Sequence, residues 1–282
     1  MHPKRHLVQL HILKVTGESV SRTKDQVAVE EPLEIRLSGE NDGQRFDQNV
    51  SVTMRTPGDD FELAAGFLFT EGILRTCDEL HEITYCVGAN KGAQQYNVVR
   101  VRLKPGVSFD PQRLQRNFYA TSSCGICGKA SLESIRTLGC IELPPDMPRV
   151  KKNLIPLLPA VLLKQQSLFE KTGGIHAAAL FDAHGNLLSV REDVGRHNAV
   201  DKLIGEQFLA DAVPLHARLM LVSGRTSFEV LQKALAAGIP FVAGVGAPSS
   251  LAVDLAREFN LTLCGFVRDG RFNVYSGEAR LV

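Results

Sequence analysis

The chain has 282 residues, 44% of them hydrophobic and 22% charged, which is the balance of an ordinary globular protein and excludes disordered, collagenous and coiled-coil classes. Its 32 lysines and arginines against 31 aspartates and glutamates leave a formal net charge of +1. Proteins that bind duplex nucleic acid normally carry a basic face, so we expect no nucleic-acid partner. A single small anionic ligand is compatible with this net charge.

The N-terminal 120 residues predict a β-rich α+β portion. Apolar and polar residues alternate with a period of two in five segments, which is typical of half-buried strands. These segments are VQLHILKV, LEIRL, VSVTM, HEITYCV and YNVVRVRL. Asp59 or Asp60 can cap a helix that runs through FELAAGFLF and ends near Gly72.

Residues 121–130 predict a mobile loop, and residues 131–282 predict an α/β domain in which strands and helices alternate. We expect an apolar helix from about Pro156 to Phe169, then a hairpin that turns at 183–186. The remaining predicted helices are HNAVDKLIGEQFL, SFEVLQKALAAG and SSLAVDLAREF. The predicted fold class is therefore α/β, a layered mixed sheet flanked by helices, and such sheets bind ligands at the carboxyl ends of their strands.

Six cysteines are present in a chain that is neither short nor secreted in character: Cys77, Cys86, Cys124, Cys127, Cys140 and Cys264. The basic start lacks the apolar core and cleavage site of a signal peptide. The longest uncharged stretch, 234–253, contains glycines and prolines that predict a strand, a loop and a helix start instead of a membrane span. We expect a cytoplasmic protein with reduced thiols and no membrane partner.

The clearest motif is Cys124-Gly125-Ile126-Cys127. Two thiols three positions apart can share a metal, form a disulfide, or act as nucleophile and neighbour. A structural zinc site usually needs two such pairs, and this chain has one, so we predict no metal site. The alternative is a chance pair in a loop, but glycine-flanked cysteines would expose both sulfur atoms without a use.

Three polar segments fall where a strand is followed by a helix: 191–198 (REDVGRHN), 223–227 (SGRTS) and 244–250 (GVGAPSS). Helix N-termini favour anions, glycine permits close backbone approach, and arginine pairs with phosphate. Each segment alone could be an ordinary connection or a solvated cap. Together at one sheet edge they favour a phosphate or nucleotide pocket. Candidate contacts in it are Ser223, Arg225 and His197.

His176 lies among small apolar residues in GGIHAAAL, where a histidine is more often a packed side chain than a ligand. The zinc deaminases use His-x-Glu followed by Pro-Cys-x-x-Cys. Ala178 stands here in place of that glutamate, and the CxxC precedes the histidine. The deaminase chemistry is therefore missing, even if the sheet is similar.

The chain resembles the FdhD family, the formate dehydrogenase accessory sulfurtransferases, from roughly Glu31 to Tyr275. The resemblance is carried by SSCGICG, GGIHAAAL, EDVGRHNAVDKLIG, LVSGRTSFEVLQKA and LTLCGFVRDGRFNVY. It implies a sulfur carrier that accepts persulfide sulfur from a cysteine desulfurase and passes it to the molybdenum cofactor before that cofactor enters formate dehydrogenase. It also implies a homodimer and a cytidine-deaminase-like fold for the larger part.

Residue by residue, the resemblance implies a persulfide on Cys124 and a second thiol at Cys127, which could instead resolve the persulfide to a disulfide. It implies that one segment binds the guanine-dinucleotide form of the cofactor, bis-molybdopterin guanine dinucleotide. That segment is Phe266, Val267, Arg268, Asp269, Gly270 and Arg271. A cofactor-binding chaperone without obligatory cysteine chemistry is the main alternative function, and a zinc-dependent deaminase, against which the missing glutamate argues, is the other.

Overall fold

The computed structural model describes residues 6–41, 43–86, 96–107 and 143–282. The strands there are β1 (Leu7–Thr16), β2 (Ser19–Ala28), β3 (Glu31–Asn41), β4 (Gln44–Arg55), β5 (Leu80–Tyr85), β6 (Val98–Leu103), β7 (His176–Phe181), β8 (Leu187–Asp193), β9 (Leu219–Val222), β10 (Phe241–Gly244), β11 (Thr262–Arg268) and β12 (Arg271–Ser276). The α-helices there are α1 (Asp60–Thr70), α2 (Leu158–Leu163), α3 (Ser167–Thr172), α4 (Arg196–Leu209), α5 (Phe228–Ala236) and α6 (Ser250–Glu258). None of these described helices is long and apolar enough to span a lipid bilayer.

The N-terminal portion is built on a four-stranded sheet with the order β4-β3-β6-β5. β3 pairs antiparallel with β4 and parallel with β6, and β5 pairs antiparallel with β6. Leu33, Ile35 and Leu37 alternate along β3, and all three are fully buried in one cluster with Leu63 and Leu68 of α1. The period of two therefore predicts these strands correctly, because one face of the sheet is covered and the other is not.

β1 and β2 form a separate two-stranded antiparallel hairpin, which joins neither of the other two sheets of the described residues. The sequence predicts β1 and misses β2. The reason is that SVSRTKDQVA is mostly polar and nearly all of it is exposed, so no buried face imposes an apolar pattern.

A six-stranded mixed sheet with the order β12-β11-β10-β9-β7-β8 organises residues 176–276. β9, β10 and β11 are parallel, whereas β7, β8 and β12 each pair antiparallel with a neighbour. Helices α4, α5 and α6 bury apolar side chains against one face, and α2 with the preceding 3-10 segment Lys152–Leu157 covers the other. The layered α/β prediction is confirmed, while the cytidine-deaminase-like assignment stays a prediction.

Helices α1 and α4 join the four-stranded portion to the larger sheet, and the backbones of these two helices are in direct contact. A Cβ atom on Gly66 of α1 would overlap the carbonyl oxygen of Asp201, and one on Gly205 of α4 would overlap the carbonyl oxygen of Glu62. Both positions therefore need glycine for the helices to approach this closely. The predicted boundaries at 120 and 130 fall outside the described residues and stay predictions.

The helix expected from about Pro156 to Phe169 is wrong as a single element, because the structure divides it into the 3-10 segment, α2 and α3. Gln166 has non-helical φ and ψ angles of −84° and 74° at the break. The backbone N–H groups of Leu168 and Phe169 donate to the carboxylate of Glu192, at 3.0 and 2.9 Å. A carboxylate distant in sequence thus starts α3, which local patterning does not reveal.

Candidate functional site

The three polar segments meet at one edge of the six-stranded sheet, as the sequence predicts. His176 at the start of β7 pairs with Asp193 at the end of β8, and Ala178 pairs with Val222 at the end of β9. The ends of β10 and β11 lie at the same edge, because these strands run parallel to β9. Residues 191–198, 223–227, 244–250 and the β11–β12 turn are therefore neighbours.

Backbone hydrogen bonds join the loops after β9 and β10 and the end of β11 into one surface. The N–H of Gly246 donates to the carbonyl oxygen of Gly224 at 3.1 Å, and the N–H of Phe266 donates to the carbonyl oxygen of Gly246 at 3.0 Å. A Cβ on Gly246 would lie 3.0 Å from the Gly224 oxygen, so a side chain there would push the loops apart. The glycines of this edge serve loop-to-loop packing.

The segment expected to bind the cofactor forms the end of β11 and the turn into β12. The side chain of Val267 is fully buried in the hydrophobic core, so only its backbone can face a ligand. The side chains of Arg268, Asp269 and Arg271 are exposed. Phe266 has a φ of +53°, and the guanidinium carbon of Arg268 lies 5.8 Å from the centre of its ring.

The charged residues 191–193 make contacts within the fold and do not line an open pocket. This differs from the sequence interpretation, which places the whole segment 191–198 at a ligand site. Arg191 pairs with Glu206 at 2.8 Å, and Glu192 accepts the N–H groups of α3. Asp193 is fully buried and lies 2.7 Å from Nζ of Lys202. Arg196 and His197, one turn further on, remain as candidates from this segment.

His197 bridges two polar side chains at the start of α5. Its Nε2 lies 3.1 Å from Oγ of Ser227, and its Nδ1 lies 3.1 Å from Oε2 of Glu229. Burial, with smaller contributions from Arg196, Lys233 and His176, lowers the pKa of His197 to about 4. The imidazole is therefore neutral near pH 7, and one nitrogen can donate while the other accepts.

Polar groups without a partner mark this edge. Among the described residues, nothing pairs with the buried Nε of Arg196 or with Oγ1 of Thr226. Arg225 is exposed beside them, whereas the hydroxyl oxygen of Ser223 accepts the N–H of Ala177 at 2.9 Å. Because buried polar groups are normally hydrogen-bonded, a ligand bearing acceptor oxygens fits the half-buried Arg196.

A cavity of about 270 Å³ lies on the other side of His197, between the four-stranded sheet and α1, α4 and α5. Ile35, Val50 and Phe67 supply part of its apolar wall, and Asp201 and Glu229 supply carboxylates. The sequence does not predict this cavity, because the residues of the cavity walls come from elements far apart along the chain.

Lys233 sits fully buried behind this cavity, with its Nζ 3.0 Å from Asp201 and 3.4 Å from Glu71. Burial alone would lower the pKa of Lys233, but Asp201, Glu71 and Glu229 together raise it, so the ammonium group stays charged. The one sequence signal is that Lys233 falls on the apolar face of α5, between Val230 and Ala234.

The CxxC cysteines, Cys124 and Cys127, lie outside the described residues. Cys264 is fully buried in the core, and burial raises its pKa to about 12. Burial, with Asp211 and Asp78, also raises the pKa of Cys77. Neither of these two thiols is suited to act as a thiolate near neutral pH.

Comparisons with known proteins place this chain and its fold in one class. The FdhD/NarQ family model matches residues 28–282. The chain is 52% identical to the sulfur carrier protein FdhD of Streptomyces avermitilis, over 96% of this chain and 94% of the relative. It is 49% identical to the sulfur carrier protein FdhD of Mycolicibacterium paratuberculosis, over 94% of each chain.

A solved structure from Desulfotalea psychrophila, described as a formate dehydrogenase accessory protein, has the same fold. It superposes with a TM-score of 0.73 at 25% identity, covering 99% of this chain and 100% of that one. The fold is thus that of a formate dehydrogenase accessory protein. The chain belongs to the FdhD/NarQ family.

Proposed function

We propose that this chain is a sulfurtransferase that carries sulfur on Cys124 from a cysteine desulfurase to the molybdenum cofactor, before that cofactor enters formate dehydrogenase. The observation that carries the proposal is family membership with relatives that are named sulfur carrier proteins. The sheet edge supports it, because Arg196, whose Nε has no partner among the described residues, and the exposed Arg225 suit an anionic cofactor.

The sulfur step is a thiol–persulfide exchange. The thiolate of Cys124 attacks the terminal sulfur of the desulfurase persulfide, a new S–S bond forms on Cys124, and the donor cysteine leaves as a thiolate. Cys127 can then attack the persulfide and release sulfide, which leaves a disulfide between the two cysteines. Delivery to the cofactor must therefore be faster than attack by Cys127.

The cofactor in this proposal is bis-molybdopterin guanine dinucleotide, bound as a substrate. Its phosphates would meet Arg196, Arg225 and Arg271, because arginine matches phosphate with paired N–H donors. Arg196 is the strongest of these, since its Nε is buried without a partner among the described residues. The neutral overall charge fits a few placed arginines better than a broad basic face.

In this proposal the chain works in the cytoplasm as a homodimer, and its partners are the cysteine desulfurase and formate dehydrogenase.

The second candidate function is that of a cofactor-binding chaperone whose cysteines are dispensable. The described sheet edge favours it in one respect, because the cationic and polar side chains described there, Arg196, Arg225 and Thr226, include no cysteine.

Sulfur loading tests the proposal. Purified protein is incubated with a cysteine desulfurase and cysteine, and intact-mass spectrometry counts the added sulfur atoms. We expect one added sulfur on the wild type and on the Cys77→Ala control, but none on Cys124→Ala or on the Cys124→Ala/Cys127→Ala double variant. Undiminished loading of both Cys124 variants would contradict the proposal.

A further inference from the structure

We propose that Ser227, His197 and Glu229 form an activated-serine site that takes acyl groups from esters, an activity that goes beyond sulfur transfer. His197 stands between the other two side chains, with 3.1 Å from its Nε2 to Oγ of Ser227 and 3.1 Å from its Nδ1 to Oε2 of Glu229. When Nδ1–H donates to the carboxylate, Nε2 is left to accept the proton of the serine hydroxyl. This is the arrangement of nucleophile, base and orienting carboxylate found in serine hydrolases.

The comparison of Ser227 with Ser249 shows that the hydroxyl of Ser227 is held for a different purpose. Both serines are N-cap residues, of α5 and α6, and each follows a parallel strand of the same sheet. Oγ of Ser249 accepts the N–H of Ala252 at 3.2 Å, which is an ordinary helix cap. Ser227 makes no such bond, although a cap typically stabilises a helix by about 1 kcal/mol. Its hydroxyl meets His197 instead.

The surroundings keep His197 in its proton-accepting form. Burial, with smaller contributions from Arg196, Lys233 and His176, lowers the pKa of His197 to about 4. Glu229 faces it from α5 as the only carboxylate within ion-pair distance among the described residues. The neutral imidazole can accept the hydroxyl proton near pH 7, as a weaker general base than an imidazole of ordinary pKa.

The start of α5 defines the substrate class. The first-turn N–H groups of a helix have no intrahelical partner, and those of α5 receive no cap from Ser227, so they can stabilise an oxyanion beside its Oγ. An ester carbonyl, whose oxygen becomes an oxyanion when the serine hydroxyl attacks, meets this condition.

The reaction balances without an oxidant or a metal. Oγ of Ser227 attacks the ester carbonyl, its proton moves to Nε2 of His197, and the bond to the alcohol breaks as that proton passes to the leaving oxygen. Water then attacks the acyl-serine in the same way, which releases the carboxylic acid and restores the hydroxyl.

A fluorophosphonate probe tests the site on the full-length protein, without desulfurase or cofactor, so the result does not depend on the sulfur proposal. Its phosphorus bonds to an activated serine oxygen with loss of fluoride, and peptide mass spectrometry locates the modification. We expect labelling at Ser227, none there in Ser227→Ala, and a rate at least about 100-fold lower in His197→Ala. Free imidazole should restore part of that rate. The matched variant Ser249→Ala should be labelled at Ser227 at the wild-type rate.

Two results would overturn this inference: no labelling of Ser227 in the folded wild type, or equal labelling rates in the wild type and His197→Ala. If His197→Ala does not fold, Glu229→Gln takes its place, and an unchanged rate in that variant counts against the site in the same way. Hydrolysis of p-nitrophenyl acetate gives an independent readout and should follow the order of the labelling rates.

Discussion

Nζ of Lys202 lies 2.7 Å from Oδ2 of Asp193, and both side chains are fully buried. Each partner also contacts Thr56, which follows β4: Asp193 accepts its N–H at 3.1 Å, and Lys202 donates to its carbonyl oxygen at 2.9 Å. The pair therefore ties the end of β8 and helix α4 to the N-terminal portion, directly behind the candidate site.

Lys202→Met should destabilise the protein strongly, because it leaves the buried carboxylate of Asp193 without its cation. Breaking such a pair typically costs about 3–5 kcal/mol in the free energy of unfolding. Urea denaturation measures the change. Lys104→Met, which removes an exposed ion pair with Asp78, is the control and should change little. Equal effects of the two variants would show that the buried pair does not hold these elements together.

Gly66→Ala should separate α1 from α4, because the added Cβ would overlap the carbonyl oxygen of Asp201. We expect a loss of about 1–3 kcal/mol or more in the free energy of unfolding, as for other overpacked sites. The control is Gly174→Ala, where the nearest atom to a new Cβ is 3.8 Å away. A similar midpoint of urea denaturation for both variants would contradict the close helix contact.

The lowered pKa of His197 predicts how stability depends on pH. The folded state binds this proton only near pH 4, whereas the unfolded state binds it near 6.5, so unfolding takes up a proton between these values. The stabilisation is present above about pH 6.5 and is lost as the pH falls towards 4, up to about 3 kcal/mol. Urea titrations at several pH values should show a shallower slope for His197→Gln than for the wild type. The exposed-residue control His184→Gln should keep the wild-type slope, and a wild-type slope in His197→Gln would contradict the assignment.

Arg196→Ala should weaken the binding of guanosine diphosphate, used here as a probe for the nucleotide half of the proposed cofactor. Loss of one charge-assisted hydrogen bond costs about 1.5–3 kcal/mol, or roughly 10- to 100-fold in Kd. Isothermal titration calorimetry gives the affinities. Arg149→Ala, which removes an exposed arginine paired with Asp146, should bind as the wild type does. Unchanged affinity in Arg196→Ala would remove this residue from the binding site.

The strands and helices that have one buried face could be predicted from the sequence, because a repeating pattern records which face is buried. β3 shows it through Leu33, Ile35 and Leu37. The gathering of the polar segments also follows from the sequence, since carboxyl ends of parallel strands share an edge. β2 could not be predicted, because it is mostly polar and, unlike β1 in the same exposed hairpin, shows no regular alternation of apolar and polar residues.

Long-range electrostatic contacts are the other part that the sequence does not reveal. Glu192 of β8 starts α3, and the buried ammonium groups of Lys202 and Lys233 each pair with carboxylates of other elements. The partnership of His197 with Ser227 and Glu229 has the same origin, because α4 and α5 meet only in the folded chain. Such contacts depend on tertiary geometry and not on local propensity.

Isotope-labelled cysteine tests most directly whether Cys124 carries sulfur to the cofactor of the client enzyme. The labelled sulfur is followed by mass spectrometry from a desulfurase, through this protein, into formate dehydrogenase, whose activity is measured in the same samples. We predict label on Cys124 and an active client with the wild type and with Cys77→Ala, and neither with Cys124→Ala. A fully active client supplied by Cys124→Ala would contradict the claim and favour a chaperone.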